Sequence, residues 1–193
     1  MNTINSTSRE DWLTKAANMM CAELFAPQTS IEKPAFRVTV APMASKHLGE
    51  CYPRSRSADN TSEIFITAHC DDSALILATL VHELVHAYDD CQSGHKGAFK
   101  QLATSVGLTG KMTATTPTDA LAATLAEYVD LLGPIPHAAI SKKSKDKGRN
   151  GNKMVCDACD FKANLSAKWA SQISDGFECP VCRTASHTRI EIK

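Results

Sequence analysis

Three histidines and a glutamate carry the first chemical signal in this chain: His82-Glu83-Leu84-Val85-His86, then His95. Two histidines four apart on a helix project from one face, one turn above the other. Their imidazoles can converge on one zinc ion, a spacing that zinc hydrolases use. Glu83 is offset from His82 by about 100° around the helix, so it can flank such an ion without binding it. Zinc lowers the pKa of its water from ~15.7 to about 7. Glu83 is therefore expected to act as general base, taking the water's proton as a carbonyl is attacked and passing it to the leaving amine.

A hydrolytic zinc keeps three protein ligands and one open position. His95 follows Gly94, a helix breaker, and is the first choice for the third ligand. Glu127, further downstream, is the alternative. Asp89 and Gln92 stand where a metzincin carries its glycine and third histidine, which excludes that type. Asp89 and Asp90 either orient a ligand histidine or end a helix in solvent. Tyr52, Arg54 and Arg56, which precede an expected edge strand, are weak candidates to stabilise an oxyanion. A solvated loop is the simpler reading of them.

The eight cysteines form two groups. Cys156, Cys159, Cys179 and Cys182 make two CxxC pairs at the spacing of a four-thiolate zinc site. Four thiolates close the tetrahedron, so that zinc is expected to be structural. A segment of this size has too little core to fold alone, and zinc can supply about 10–16 kcal/mol. Cys21, Cys51, Cys70 and Cys91 are scattered and read as reduced thiols. Cys91 lies between the histidines in sequence, but an ordinary thiol is the expectation there.

The elements that must position these groups follow from pattern. Ser8 can cap a helix running to about Phe25, with Trp12, Leu13, Ala16, Met20 and Leu24 on its apolar side. Phe36–Val40 and Glu63–Thr67 read as strands, with a shorter one within Lys46–Tyr52 and a polar hairpin loop from Pro53 to Thr61. A strongly apolar helix is expected from about Ser73 to Asp90. Buried inside it, His82, Glu83 and His86 would be costly unless something satisfied them, and a metal does so. Two more helices are expected, about Gly97–Val106 and, capped by Thr118, Asp119–Leu132.

The net charge is zero, but it is unevenly spread. Residues 1–139 carry ten basic and fifteen acidic side chains, and residues 140–193 carry eleven and six. Ser141–Lys153 has nothing apolar and reads as a flexible basic linker. It divides a helical part, residues 8–140, from a cysteine module, residues 154–193. Lys142, Lys143, Lys145, Lys147, Arg149 and Lys153 in the linker are candidates to meet nucleic-acid phosphates, as are Lys162, Lys168 and Arg183 in the module. Arg189 adds a further basic group, and Trp169 could stack on a base, although a place in the module's core is the expectation. No stretch reaches the roughly 20 apolar residues needed to span a bilayer. The N-terminal residues lack the pattern of a secretory signal, so an intracellular protein is expected.

The stretch LATLVHELVHAYDDCQSGHKGAFKQLATSVGL resembles the SprT-like/Spartan family of zinc metallopeptidases. His95, Gly97 and Phe99 follow the HExxH helix in that family's order, and the EIFIT strand, the LGEC segment and the paired CxxC motifs fit as well. Lys96 departs from it by separating His95 from Gly97. The resemblance spans about residues 10–185. It implies an α+β fold: a minimal zincin-like domain, a small twisted sheet packed on helices, followed by a zinc ribbon. It also implies two zinc ions, one catalytic and one structural, and a protein substrate bound or crosslinked to DNA.

Two readings follow. In the first, the chain is a zinc endopeptidase of the cytoplasm or nucleoid, in a bacterial or phage-infected cell, acting as a monomer on protein held by DNA. In the second, it is a nucleic-acid-binding zinc protein whose HExxH site does not cut.

Overall fold

A computed structural model of the chain describes residues 8–43, 46–141, 152–173 and 176–191. Its fold is α+β and divides into two compact units, Met1–Ser141 and Lys142–Lys193. No helix among the described residues is long and apolar enough to cross a membrane.

The first unit opens with α1, Arg9–Met20. The Ser8 hydroxyl accepts from the Asp11 amide at 3.0 Å, and Glu10 and Asp11 sit where the helix dipole favours acid. Trp12, Leu13, Ala16 and Met20 are fully buried. The helix runs on into a wider π-turn, Cys21–Phe25, and Phe25 stacks on Tyr88 with ring centroids 4.6 Å apart. At the other end of the unit, the Trp12 indole donates to the Gly133 carbonyl at 2.9 Å.

Three strands form the sheet: β1 (Phe36–Ala41), β2 (Gly49–Tyr52) and β3 (Ser62–Thr67). Their order is β1-β3-β2, with β1 parallel and β2 antiparallel to β3. The strand expected at the edge, Glu63–Thr67, is therefore central. Its Ile64 and Ile66 are almost wholly buried, which an edge position would not have required. The loop of residues 53–61 joins β2 to β3 as a hairpin and includes a single 3-10 turn, Arg54–Arg56.

Helix α2, Ser73–Tyr88, packs on β2 and β3 and is flanked by α1, α3 (Gly97–Ser105) and α4 (Asp119–Leu132). The Asp72 carboxylate caps it, accepting from the amides of Ala74 and Leu75. Leu77, Leu80, Val81, Leu84 and Val85 are fully buried, at the centre of the core. Between α3 and α4 lies a hairpin, β4 (Leu108–Lys111) with β5 (Ala114–Pro117), for which the sequence pattern had given no sign.

The second unit has a three-stranded antiparallel sheet of order β7-β6-β8: β6 (Lys153–Cys156), β7 (Lys162–Asn164) and β8 (Thr188–Glu191). A four-residue helix, α5 (Ala167–Ala170), follows β7. Lys153, read as linker, opens β6 and pairs with Asn164 and Glu191.

Candidate metal centres

The apolar pattern of α2 forces its His82/His86 face into the body of the unit, where the loop after the helix must meet it. That loop reverses at once. Asp90 and Cys91 both take left-handed backbone angles (φ 47° and 57°), and the Cys91 amide bonds to the His86 carbonyl at 2.9 Å. The helix therefore ends at Tyr88, two residues earlier than its apolar run suggested. Asp89 does not turn to a histidine: its carboxylate accepts from the Ser93 amide (2.7 Å) and hydroxyl (2.9 Å), and so holds the loop. The Asp90 carboxylate accepts from the Arg54 amide at 2.9 Å. With the loop fixed in this way, His95 arrives over the helix face.

The Nε2 atom of His95 lies 3.3 Å from Nε2 of His82 and 3.2 Å from Nε2 of His86. These three residues form a group able to hold a metal ion. Tetrahedral zinc with bonds of about 2.0–2.1 Å separates its nitrogen ligands by about 3.4 Å, close to the spacing found. Glu127, the alternative ligand, is exposed on α4 and is not in the group. Burial, and then the charge of His95, push His82 down to about 4. Burial, then His82 and His95, push His86 down to about 3. His95 is also depressed, by burial and then by His47 in the run into β2. All three imidazoles are thus neutral near pH 7, the form that binds metal.

Around them, Phe99 of α3 is fully buried, with its ring centroid 5.1, 4.3 and 5.0 Å from those of His82, His86 and His95. The Thr115 hydroxyl on β5 meets Nδ1 of His82 at 2.9 Å. Thr115 and His47 had no assigned role in the sequence, and no local pattern marks either of them.

Glu83 stands apart from the three nitrogens and is 5% exposed. Burial, then the charges of Cys91 and Glu50, raise its pKa to about 8. Gly49 of β2 faces it, and a Cβ there would come within 2.6 Å of Oε1 and 2.7 Å of Cγ. Glycine inside a strand marks such a close approach, so LGEC carried a signal beyond its place in the resemblance. Cys91 turns from the histidines to β2, where its thiol donates to the Cys51 carbonyl at 3.5 Å. Of the weak oxyanion candidates, Tyr52 donates to Glu50 at 3.3 Å and Arg54 pairs with Asp90 at 3.4 Å.

In the second unit, Cys156, Cys159, Cys179 and Cys182 form the other possible metal group. Sγ–Sγ distances of 3.6 Å join Cys156 to Cys182 and Cys159 to Cys179. Zinc–sulfur bonds of about 2.3 Å imply tetrahedral separations of about 3.8 Å. The residue after each CxxC pair, Asp160 and Arg183, is left-handed at φ 56° and 60°. Both pairs thus sit in matching turns. The Thr184 hydroxyl, then its backbone amide, hold the Cys182 thiol low, at about 6.

Trp169 is not in the core of this unit. The residue is 52% exposed, and the Lys168 ammonium lies 5.4 Å from the ring centroid. Among the described residues the small apolar core is made of Val155, Cys156, Ala170 and Cys179, too little to enclose an indole carried on a four-residue helix. Lys162, Lys168 and Arg183 are exposed, and Lys153 is half-buried. Arg183 pairs with Glu178 at 3.3 Å, whereas Arg189 is bound by Asp157 and by Glu191. Lys142, Lys143, Lys145, Lys147 and Arg149 lie outside the described residues.

No family model, curated protein or solved structure matches this chain.

Proposed function

We propose that this chain is a zinc-dependent endopeptidase of the SprT-like kind, with His82, His86 and His95 as metal ligands and Glu83 as general base. The observation that carries the reading is the convergence of three imidazole Nε2 atoms from a helix that also holds a buried carboxyl. Zinc there would supply a Lewis acid, polarising the scissile carbonyl and making water a nucleophile near neutral pH. Glu83 receives the proton of the attacking water and passes it to the leaving amine. Such a base works best with a pKa near the working pH, and burial lifts Glu83 toward that range. Gly49 leaves the carboxyl a space that any larger residue there would fill. The four cysteines would hold a second, structural zinc and close a zinc-ribbon module.

The substrate proposed is protein bound or crosslinked to DNA, met in the cytoplasm or on the nucleoid. Its support is the exposed Trp169 beside Lys168, with Lys162 nearby in sequence. Basic groups meet phosphates and an exposed ring stacks on unpaired bases. The same exposed indole also favours a second reading, a nucleic-acid-binding zinc protein that does not cut. Glu83 weighs against it, because a purely structural site has no use for a buried carboxyl.

The test is cleavage of a protein covalently linked to DNA, single- or double-stranded, with free casein alongside. Fragments produced by the wild type and absent with Glu83→Gln support the peptidase. DNA binding without cleavage of any substrate leaves the second reading.

A further inference from the structure

We infer that Thr115 is a positioning residue that sets the proton and ring plane of the His82 imidazole, and that the β4–β5 hairpin exists to deliver it. The inference rests on the three-histidine metal site of the proposed function, but not on peptide cleavage.

A neutral imidazole carries one proton, on either nitrogen. Metal binding through Nε2 requires that proton on Nδ1, and a partner that accepts it there selects the binding tautomer. His82 has its Nε2 turned to His95 at 3.3 Å and its Nδ1 at 2.9 Å from the Thr115 hydroxyl oxygen. Thr115 is therefore placed to accept the Nδ1 proton and leave Nε2 with its lone pair toward the cluster. Phe99 packs against the same ring at 5.1 Å and an angle of 63°, so the imidazole is held both at one edge and across its face.

The hairpin is built for this placement. It buries little: Leu108 is its one buried residue, at 1% exposure. Its base is tied by the Thr118 amide to the Gly107 carbonyl at 2.8 Å, between α3 and α4. Pairing then fixes the register, with Thr115 opposite Gly110 and Thr116 opposite Thr109. A one-residue slip would turn Thr115 to the other face of the hairpin. A hydroxyl acceptor also adds no charge, so the group at His82 stays neutral overall, unlike one oriented by a carboxylate.

The experiment uses the full chain. Zinc affinity of the three-histidine site is measured by chelator competition in the wild type, Thr115→Val and Thr115→Ser, with the four-cysteine zinc counted separately. Thr115→Val is expected to weaken that site by about 10–100-fold, Thr115→Ser to restore it to within a few-fold, and the cysteine zinc to be unchanged. Nitrogen-15 spectra of the metal-stripped wild type at pH 8 are expected to show His82 protonated on Nδ1, a readout that needs no variant to fold. An Nε2-protonated His82, equal affinity in Thr115→Val, or failure of Thr115→Ser to rescue would each overturn the inference. His95→Ala separates the two claims: an unchanged zinc count there removes the site itself. Zinc binding that depends on Thr115 in a chain that cuts nothing would sink the peptidase and leave this inference standing.

Discussion

Gly49 lies so close to Glu83 that a single added methyl carbon would sit 2.6 Å from the carboxyl oxygen and 2.7 Å from the Thr79 methyl. Both neighbours are on α2, so strand and helix are in backbone-to-side-chain contact at the residue assigned the proton transfer. Gly49→Ala must push β2 away or displace the carboxyl. Overpacking of this kind costs about 1–3 kcal/mol. We expect denaturant unfolding to report that loss, with hydrolysis reduced and the histidine zinc retained. Wild-type stability in Gly49→Ala would show that the contact is not tight in solution.

Replacing Glu83 with glutamine keeps the shape and removes the proposed base. Hydrolysis of casein should fall by about 10²–10⁴-fold, the usual contribution of a positioned acid or base. The zinc count should not change, because Glu83 is not one of the three donors. A variant that loses zinc along with activity would place Glu83 among the ligands instead.

The pH dependence of the metal-stripped protein has a definite sign. Glu83 moves from an ordinary 4.5 to about 8 on folding. Between those values the folded site keeps a proton that the unfolded chain has released. Its stabilising contribution is complete below 4.5 and is lost as pH rises through about 8. His82 and His86 act oppositely: from an ordinary 6.5 they fall to about 4 and about 3, so they cost stability as pH drops below 6.5. Above about pH 7.5 the unfolded histidines are almost wholly neutral as well, so from there to about pH 8.5 Glu83 is the one of these three that still titrates. Urea midpoints over that interval, read from Trp12 emission in a Trp169→Phe background, should decline in the wild type and flatten with Glu83→Gln. Parallel curves would mean that the carboxyl is not buried as an acid.

Much of this arrangement was legible in the chain because burial and capping write directly into sequence. Ser8 and the apolar face from Trp12 to Met20 mark α1, and the run from Ala74 to Val85 marks a central helix. What escaped was held by backbone pairing rather than by burial. The β4–β5 hairpin exposes most of its residues and has no apolar alternation, so Thr115 left no trace. The order β1-β3-β2 depends on a parallel pairing between strands far apart in sequence, which local pattern cannot specify. Trp169 misled for the opposite reason. A large aromatic ring is usually buried, but the apolar core among this unit's described residues is only Val155, Cys156, Ala170 and Cys179.

Metal counting tests both centres in one experiment. The wild type should carry two zinc ions, and His95→Ala and Cys179→Ser should each lose one. The cysteine variant should also lose the structure of its own unit, since a zinc bound there would supply much of its folding free energy. A His95→Ala protein with an unchanged count would remove that residue from the site.

The two tryptophans give a built-in probe of nucleic-acid binding. Trp12 is fully buried and Trp169 is half exposed, so acrylamide should quench mainly the second. Single-stranded DNA should quench the same emission and protect it from acrylamide. Trp169→Ala should weaken binding by about 1–3 kcal/mol per stacked base while leaving the salt dependence, which reports phosphate contacts. Equal affinity in the variant would mean that the ring does not stack.

Phe99 touches all three histidine rings at once. The circulating electrons of its ring shift the magnetic resonances of nearby protons by amounts that depend steeply on distance and angle. The carbon-bound protons of His82, His86 and His95 therefore carry a readout of cluster geometry within the protein. Metal loading, substrate docking or a slipped hairpin would each move the three sets of signals in a different pattern, with no label attached to the site.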